Sequence, residues 1–531
     1  MPHITDIVGA HARRSAPSGS PSLGAGATGT FPLAVLAAAF VLAQLLLVPP
    51  HMGLGWDETV YVSQTSPHAP AAYFSAPRSR GTVLLTAPVT AWTGSTTVLR
   101  IYLTVLAGLT LYLALRMWRP VVPGRVLLWG GGLFCTLWIT LFYAPQAMPN
   151  YWVATAACAA VAGFVRAWHD PGDRAAHWVV AGCCAAMALL RPTDSVWLTL
   201  PFAAVLLLRR PLRPRLALAW LGGLAVGAAD WVVEAYVSYG GLSARLAEGA
   251  RVEGGMGPQF AVGDQLRSLG GRLLCRPCVG PMPATVVTVW WYVLPLLALA
   301  GLLLAPQAVR VTGALRGSGV PRGPSGAGVY GAGPDAPRTT GAMRLWLPLA
   351  CAATAAVPYL FLIGYAAPRF LLPTYLLLCL PAGYALAHVF RARRGRRGLV
   401  TALVVAALLG THVGLQLSVL LPLVRRNTVA HQDWQHTADA LHRLGVRPPC
   451  TLTGNIAVPI AYYTGCGSAQ VAGPNASTTP AGIESIRRRM PIAALVAPGG
   501  HPPSYAAGWP AHRITGPSGA ARYAYVAPRN G

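Results

Sequence analysis

Trp56, Asp57 and Glu58 stand together in "GLGWDETVYVSQ" (53–64), just after a long apolar run. Adjacent carboxylates stand out in a chain with only 15 acidic residues among 531. A carboxylate at a water-facing edge can accept a proton, and an ordinary Asp, with a pKa of about 3.9, is ionised at neutral pH. On a helix, Asp57 and Glu58 point about 100° apart, so they do not share a ligand, whereas Tyr61 falls on the Asp57 face. Further along, "APRSRGTVLL" supplies Arg78 and Arg80. Guanidinium groups pair bidentately with phosphate or carboxylate. Acid and arginines in one segment suit a lipid-phosphate donor and an acceptor hydroxyl. The competing reading makes Asp57 a helix N-cap and the arginines anchors to lipid phosphates.

Other candidates are less pointed. Arg369 opens an apolar run alone, which is costly without a partner, unless it snorkels to the interface. Arg191 and Asp194 in "LLRPTDSVWL" read as an internal pair or cap. Asp230 and Glu234 are spaced i,i+4 and share a helix face, as an arginine-paired or wet set rather than a metal site. Metal ligation stays open, with a divalent cation compatible with the outer acids. Cys275 and Cys278 form a CxxC without the strand–helix context of a redox motif, so a local disulfide or loop staple is expected. For Cys450 and Cys466, a disulfide and two buried thiols are both open.

The elements that must position these residues are membrane helices. The chain is 54% hydrophobic, 11% charged and has a mean hydropathy of +0.48. Its apolar blocks approach the roughly 20 residues that span a bilayer core and are too continuous for barrel strands. The expected spans are 31–49, 98–118, 125–143, 151–168, 177–190, 195–208, 216–238, 284–305, 345–364, 369–390 and 398–421. The first exceeds a signal-peptide core and reads as a retained span.

All 41 basic residues are arginine, which fits a GC-rich bacterial genome. With the N-terminus in the cytoplasm, alternation puts 21 arginines inside and ten outside, setting aside the C-terminal tail. That bias orients the chain and accounts for the formal charge of +26 without a nucleic-acid partner. Residues 1–28 and the Gly/Pro/Ser-rich stretch 306–343 then become flexible cytoplasmic segments. The membrane domain covers 29–421, with outer segments 50–97 and 239–283. Residues 422–531 form an outer α/β domain, with a helix over "DWQHTADALHRLGV" and strands at "CTLTG" and "IAALVAP".

Taken in order, these motifs resemble the GT-C membrane glycosyltransferases, in particular the protein O-mannosyltransferase and aminoarabinose-transferase branch. The matching stretches are the Asp-Glu of the first outer loop with "PRSRG", "PQAMPNYW" (145–152), "LLRPTDSVWL" (189–198) and "APRFLLPTYLLLCLPAGYAL" (367–386). At 146 and 148 this chain has Gln and Met where the branch often carries an acid, so an acidic role there is lost. The resemblance implies an all-α polytopic fold and a polyprenyl-phosphate sugar donor. It implies a protein, glycan or lipid acceptor at the outer face of the cell membrane. Asp57 would take the acceptor proton, a service worth about 10²–10⁴ in rate. Glu58 would be an orienting or secondary acid. Arg78, Arg80 and Arg369 would hold the donor phosphate. The rival readings are a lipid or solute transporter, for which internal repeats are expected and none is evident, and a thiol oxidoreductase built on the CxxC.

Overall fold

The computed structural model describes residues 30–317, 338–391, 396–473 and 475–528. The expected N-terminal tail lies outside these residues, as does the middle of the expected loop 306–343. From the amino end run α1 (Phe31–Leu47), α2 (Trp56–Val62), α3 (Gly81–Thr90), α4 (Thr96–Met117), α5 (Gly124–Thr136), α6 (Trp138–Tyr143) and α7 (Pro149–His169). Next come α8 (Arg174–Leu190), α9 (Pro192–Leu208), α10 (Pro214–Ser238), α11 (Leu242–Glu253) and α12 (Val262–Ser268). The bundle closes with α13 (Thr285–Gly317), α14 (Arg338–Phe361), α15 (Leu372–Arg391) and α16 (Arg396–Arg443).

Among the described residues, seven helices (α4, α7, α10, α13, α14, α15 and α16) are long and apolar enough to cross a membrane, and α1, α3, α8 and α9 are shorter apolar helices. Each expected span falls on a helix, one of them interrupted. The segment 125–143 is broken at Leu137, whose backbone is extended, into α5 and α6. Gln416 of α16 meets the break by accepting from the Trp138 amide at 2.9 Å. A polar side chain thus satisfies backbone that lipid would not.

Sequence marks the helix starts. Prolines 149, 192 and 214 occupy first turns, where their missing N–H costs nothing. Asp173 caps α8 by accepting from Ala176 N at 2.9 Å. Helices α7 and α15 are largely buried within the bundle, while Leu208, Val237 and Leu303 on outer helices are more than 70% exposed. Such a surface needs an apolar solvent. Helices α8 and α10 pack closely. A Cβ at Gly223 would lie 2.4 Å from Ala181 O, and one at Gly227 would lie 2.1 Å from Ala185 O. Small residues four apart on both helices let the backbones touch.

Helix α16 does not stop at the expected span end of 421. It continues to Arg443 as one helix, so the expected separate helix over 433–446 is its last part. Beyond it lie β1 (Thr451–Gly454), α17 (Ala457–Thr464), β2 (Gly467–Ser468), α18 (Pro480–Arg487), β3 (Ile492–Val496), β4 (Ala511–Thr515) and β5 (Ala521–Val526). The sheet order is β2-β1-β3-β5-β4. Strands β1, β2 and β3 are parallel, while β4 and β5 are an antiparallel addition. The two strands expected from sequence are the adjacent β1 and β3. Cys450 and Cys466 form a disulfide beside β1.

Candidate active site

The site is built around α2. Ahead of it, Gly53 has φ +84°, and a Cβ there would sit 2.9 Å from both His431 Cβ and the Tyr463 hydroxyl. Glycine is therefore required where this backbone lies against the C-terminal part of the chain. Helix α2 begins at Trp56, so Asp57 is inside the first turn and is not the cap. Glu58 Oε2 accepts from Gly55 N at 2.9 Å, which closes the helix start. The apolar side of α2 (Val60 and Tyr61, with Trp56 at its edge) packs on Phe74, Val83, Met148 and Val458.

The two carboxylates turn to different surroundings. Glu58 is buried and bound bidentately by Arg100, with contacts of 2.5 and 2.7 Å. It also accepts from Ala147 N at 2.8 Å. Arg100, itself buried, further donates to the Gly53 and Pro145 carbonyls. Asp57, one-third exposed, faces a cavity of about 150 Å³. Its Oδ1 accepts from Arg78 at 2.7 Å and its Oδ2 from Arg369 at 3.1 Å. Burial alone would raise the Asp57 pKa, but the Arg78 and Arg369 charges outweigh it and hold the group below its ordinary value. Tyr61 lines the same cavity, one turn from Asp57 as the helical spacing predicts.

Each arginine is held from behind. Arg78 also bonds Ser75 Oγ and lies over the Tyr61 ring. Arg369 sits in a 3-10 turn (Pro368–Leu371), donates to Leu273 O at 3.0 Å and lies over Tyr143 and Phe370. Arg191, the residue before α9, lines the cavity too. It binds Asp194 at 2.6 Å and the Tyr359 hydroxyl at 2.8 Å, and that hydroxyl donates back to Asp194.

Arg80 does not join them. It binds Glu234 at 2.6 Å and lies over Phe74. Glu234 also takes Arg245 at 2.8 Å. Asp230, four residues earlier, is exposed, so the expected pair divides. Arg245 is wholly buried and donates to the Ala76, Arg78 and Trp231 carbonyls. It pins α11 to the segment that carries Arg78.

The CxxC is a disulfide. Cys275 pairs its backbone with Ala366 in both directions, at 2.8 and 3.2 Å. Between the two cysteines, Arg276 reaches the cavity, lies over Tyr365 and donates to Val252 O at 2.9 Å, near the end of α11. Glu253, the last residue of α11, lines the cavity as a second carboxylate. None of Glu253, Arg276 and Arg100 stands out in the sequence. Arg100 shows only as a lone arginine at a span edge, and Glu253 sits in an ordinary charged stretch. Among the described residues, no group of three or more His, Cys, Asp or Glu is placed to hold a metal.

The likeness to solved structures is one of fold. ArnT from Cupriavidus metallidurans bound to undecaprenyl phosphate superposes with a TM-score of 0.61 at 13% identity, over 94% of this chain and 99% of that one. The apo state of the same protein gives 0.60 at 13% identity, over 95% and 99%. The fold is thus the polytopic GT-C architecture expected from the motifs, with its small C-terminal α/β unit. No family model matches the sequence, and no curated protein does.

Proposed function

We propose that the chain is an integral membrane glycosyltransferase. It moves a sugar from a polyprenyl-phosphate donor to an acceptor hydroxyl on the extracytoplasmic face, where the arginine bias puts the outer loops. One observation carries this reading: Asp57 held between Arg78 and Arg369 in a small cavity of a GT-C fold. The undecaprenyl phosphate bound to the ArnT of the same fold supports a lipid-phosphate donor here.

Arg78 and Arg369 are the donor-phosphate residues, with Arg191 beside them. The donor's phosphodiester, with its single negative charge, competes for the guanidinium donors that Asp57 holds in the free site. As those donors turn to phosphate, Asp57 loses the charges that depress its basicity. The base therefore strengthens once the donor is in place. The acceptor hydroxyl then gives its proton to an Asp57 carboxylate oxygen, and its oxygen bonds to the anomeric carbon. The bond from that carbon to the phosphate oxygen breaks, and the electron pair leaves on the phosphate, where the arginines stabilise the growing charge. Glu58 acts through Arg100, as a positioning residue for α2. Arg80 braces Glu234 and α11 rather than touching the phosphate.

The test is transfer of radiolabelled sugar from polyprenyl-phosphate-linked hexoses and pentoses in membranes that contain the protein. Asp57→Asn should lower the rate by about 10²–10⁴ at unchanged expression and thermal stability. A variant that retains its rate would overturn the role of Asp57. Movement of the lipid-linked sugar across vesicles without any transfer would replace the enzyme with a transporter.

A further inference from the structure

The cavity has a carboxylate that the mechanism above leaves unused. Glu253 makes no ion pair and no side-chain hydrogen bond among the described residues, although Arg78, Arg191, Arg276 and Arg369 all line the same space. Its oxygens are not sealed in protein, so they open to the cavity. An unpaired carboxylate facing a cation-rich pocket suits a ligand that brings hydroxyl donors.

Its position is strongly enforced. Arg245, two turns earlier on α11, fastens that helix to Ala76, Arg78 and Glu234. At the other end, Arg276 takes the Val252 carbonyl, and Gly254 at φ +90° ends the helix immediately after Glu253. The disulfide and the Cys275–Ala366 pairing hold Arg276 in turn. Two tethers, one at each end of α11, are much scaffolding for a side chain with no partner.

The cavity's size narrows the ligand. At about 150 Å³ it is smaller than a drug-sized pocket of roughly 300–1,000 Å³. That suits one sugar ring, with the lipid chain outside. A carboxylate has two oxygens and about four acceptor positions, which matches adjacent ring hydroxyls.

Resting on the donor reading above, we infer that Glu253 holds the transferred sugar by accepting hydrogen bonds from its ring hydroxyls. Phosphate and sugar are then recognised by separate residues: Arg78 and Arg369 for the first, Glu253 for the second. Burial, with the Asp194 charge adding to it, raises the Glu253 pKa above the ordinary Glu value, against the opposing charges of Arg191, Arg276 and Arg78. Hydroxyls donate best to the ionised form. Sugar recognition should accordingly weaken as pH falls through that raised pKa, while phosphate binding does not follow the same curve.

Binding separates the two roles. The full-length protein, wild type, Glu253→Ala and Glu253→Gln, is titrated with bare polyprenyl phosphate and with polyprenyl-phosphate-linked hexoses and pentoses. The wild type should prefer at least one sugar-bearing lipid over the bare one. Glu253→Ala should reduce that preference roughly tenfold, Glu253→Gln by less, and neither should weaken binding of the bare lipid. Variants that keep the full preference overturn the inference. So do variants that lose both lipids equally, because Glu253 would then only hold the loop. Wild type that binds bare polyprenyl phosphate with no sugar preference also overturns it and leaves the donor reading standing. Wild type that binds neither lipid sinks the donor reading itself.

Discussion

Arg100 shows how much one side chain can hold. It is 2% exposed and reaches Glu58, the Gly53 carbonyl and the Pro145 carbonyl, so it ties the start of α2 to the loop before α7. Removing one member of a buried pair strands the other charge, at a cost of about 3–5 kcal/mol. Arg100→Leu and Glu58→Leu should each lower the melting temperature in detergent sharply, and the double variant should lower it less than the sum of the two. Additive losses would mean that the pair is not coupled. Asp57 is legible from sequence because carboxylates are so rare in this composition. Its direction is legible as well, since helical spacing alone separates it from Glu58 and joins it to Tyr61. Arg100 is not legible: its partner is 42 residues away, and only the fold brings the two together. Arg80 turns to a partner that is also remote in sequence, because Glu234 claims it from 154 residues away.

Among the elements, the α8–α10 contact is sharply defined. Gly223 and Gly227 touch the Ala181 and Ala185 backbones, and α10 carries the Glu234 that secures Arg80 and Arg245. Gly227→Leu must push the two helices apart. It should destabilise the protein by about 1–3 kcal/mol and reduce transfer through the displaced α11, whereas Gly222→Ala, with nothing within 4 Å of its Cβ, should do neither. Thermal melting and the transfer assay on the two variants check this. Helix positions were legible because a nearly uncharged apolar block of that length satisfies its backbone most readily as a helix. The break at Leu137 was not, since the residues around it are as apolar as the rest. The side chain that satisfies it, Gln416, lies nearly 280 residues on.

At the scale of the whole molecule, the C-terminal sheet domain sits against the candidate site. Tyr463 donates to Leu54 O at 3.3 Å and accepts from Leu54 N at 2.7 Å, while Asn475 accepts from the Trp56 indole and donates to Tyr73 O. Tyr463→Phe should weaken that clasp by about 0.5–1.5 kcal/mol. Hydrogen exchange should then rise at amides 53–58 while the sheet amides stay protected. Equal protection in the variant would show the contact to be idle. Strands β1 and β3 were legible as short buried runs. Strands β4 and β5 were not, because they alternate weakly and take their register from each other.

Helix α16 has 48 residues and spans roughly 70 Å at 1.5 Å per residue. It is one spar, rooted in the apolar bundle and ending in the sheet domain. Partway along, His431 grips the Met52 carbonyl at 2.6 Å, five residues ahead of Asp57. The spar therefore ties the apolar bundle, the sheet domain and the loop bearing the acid into one mechanical unit.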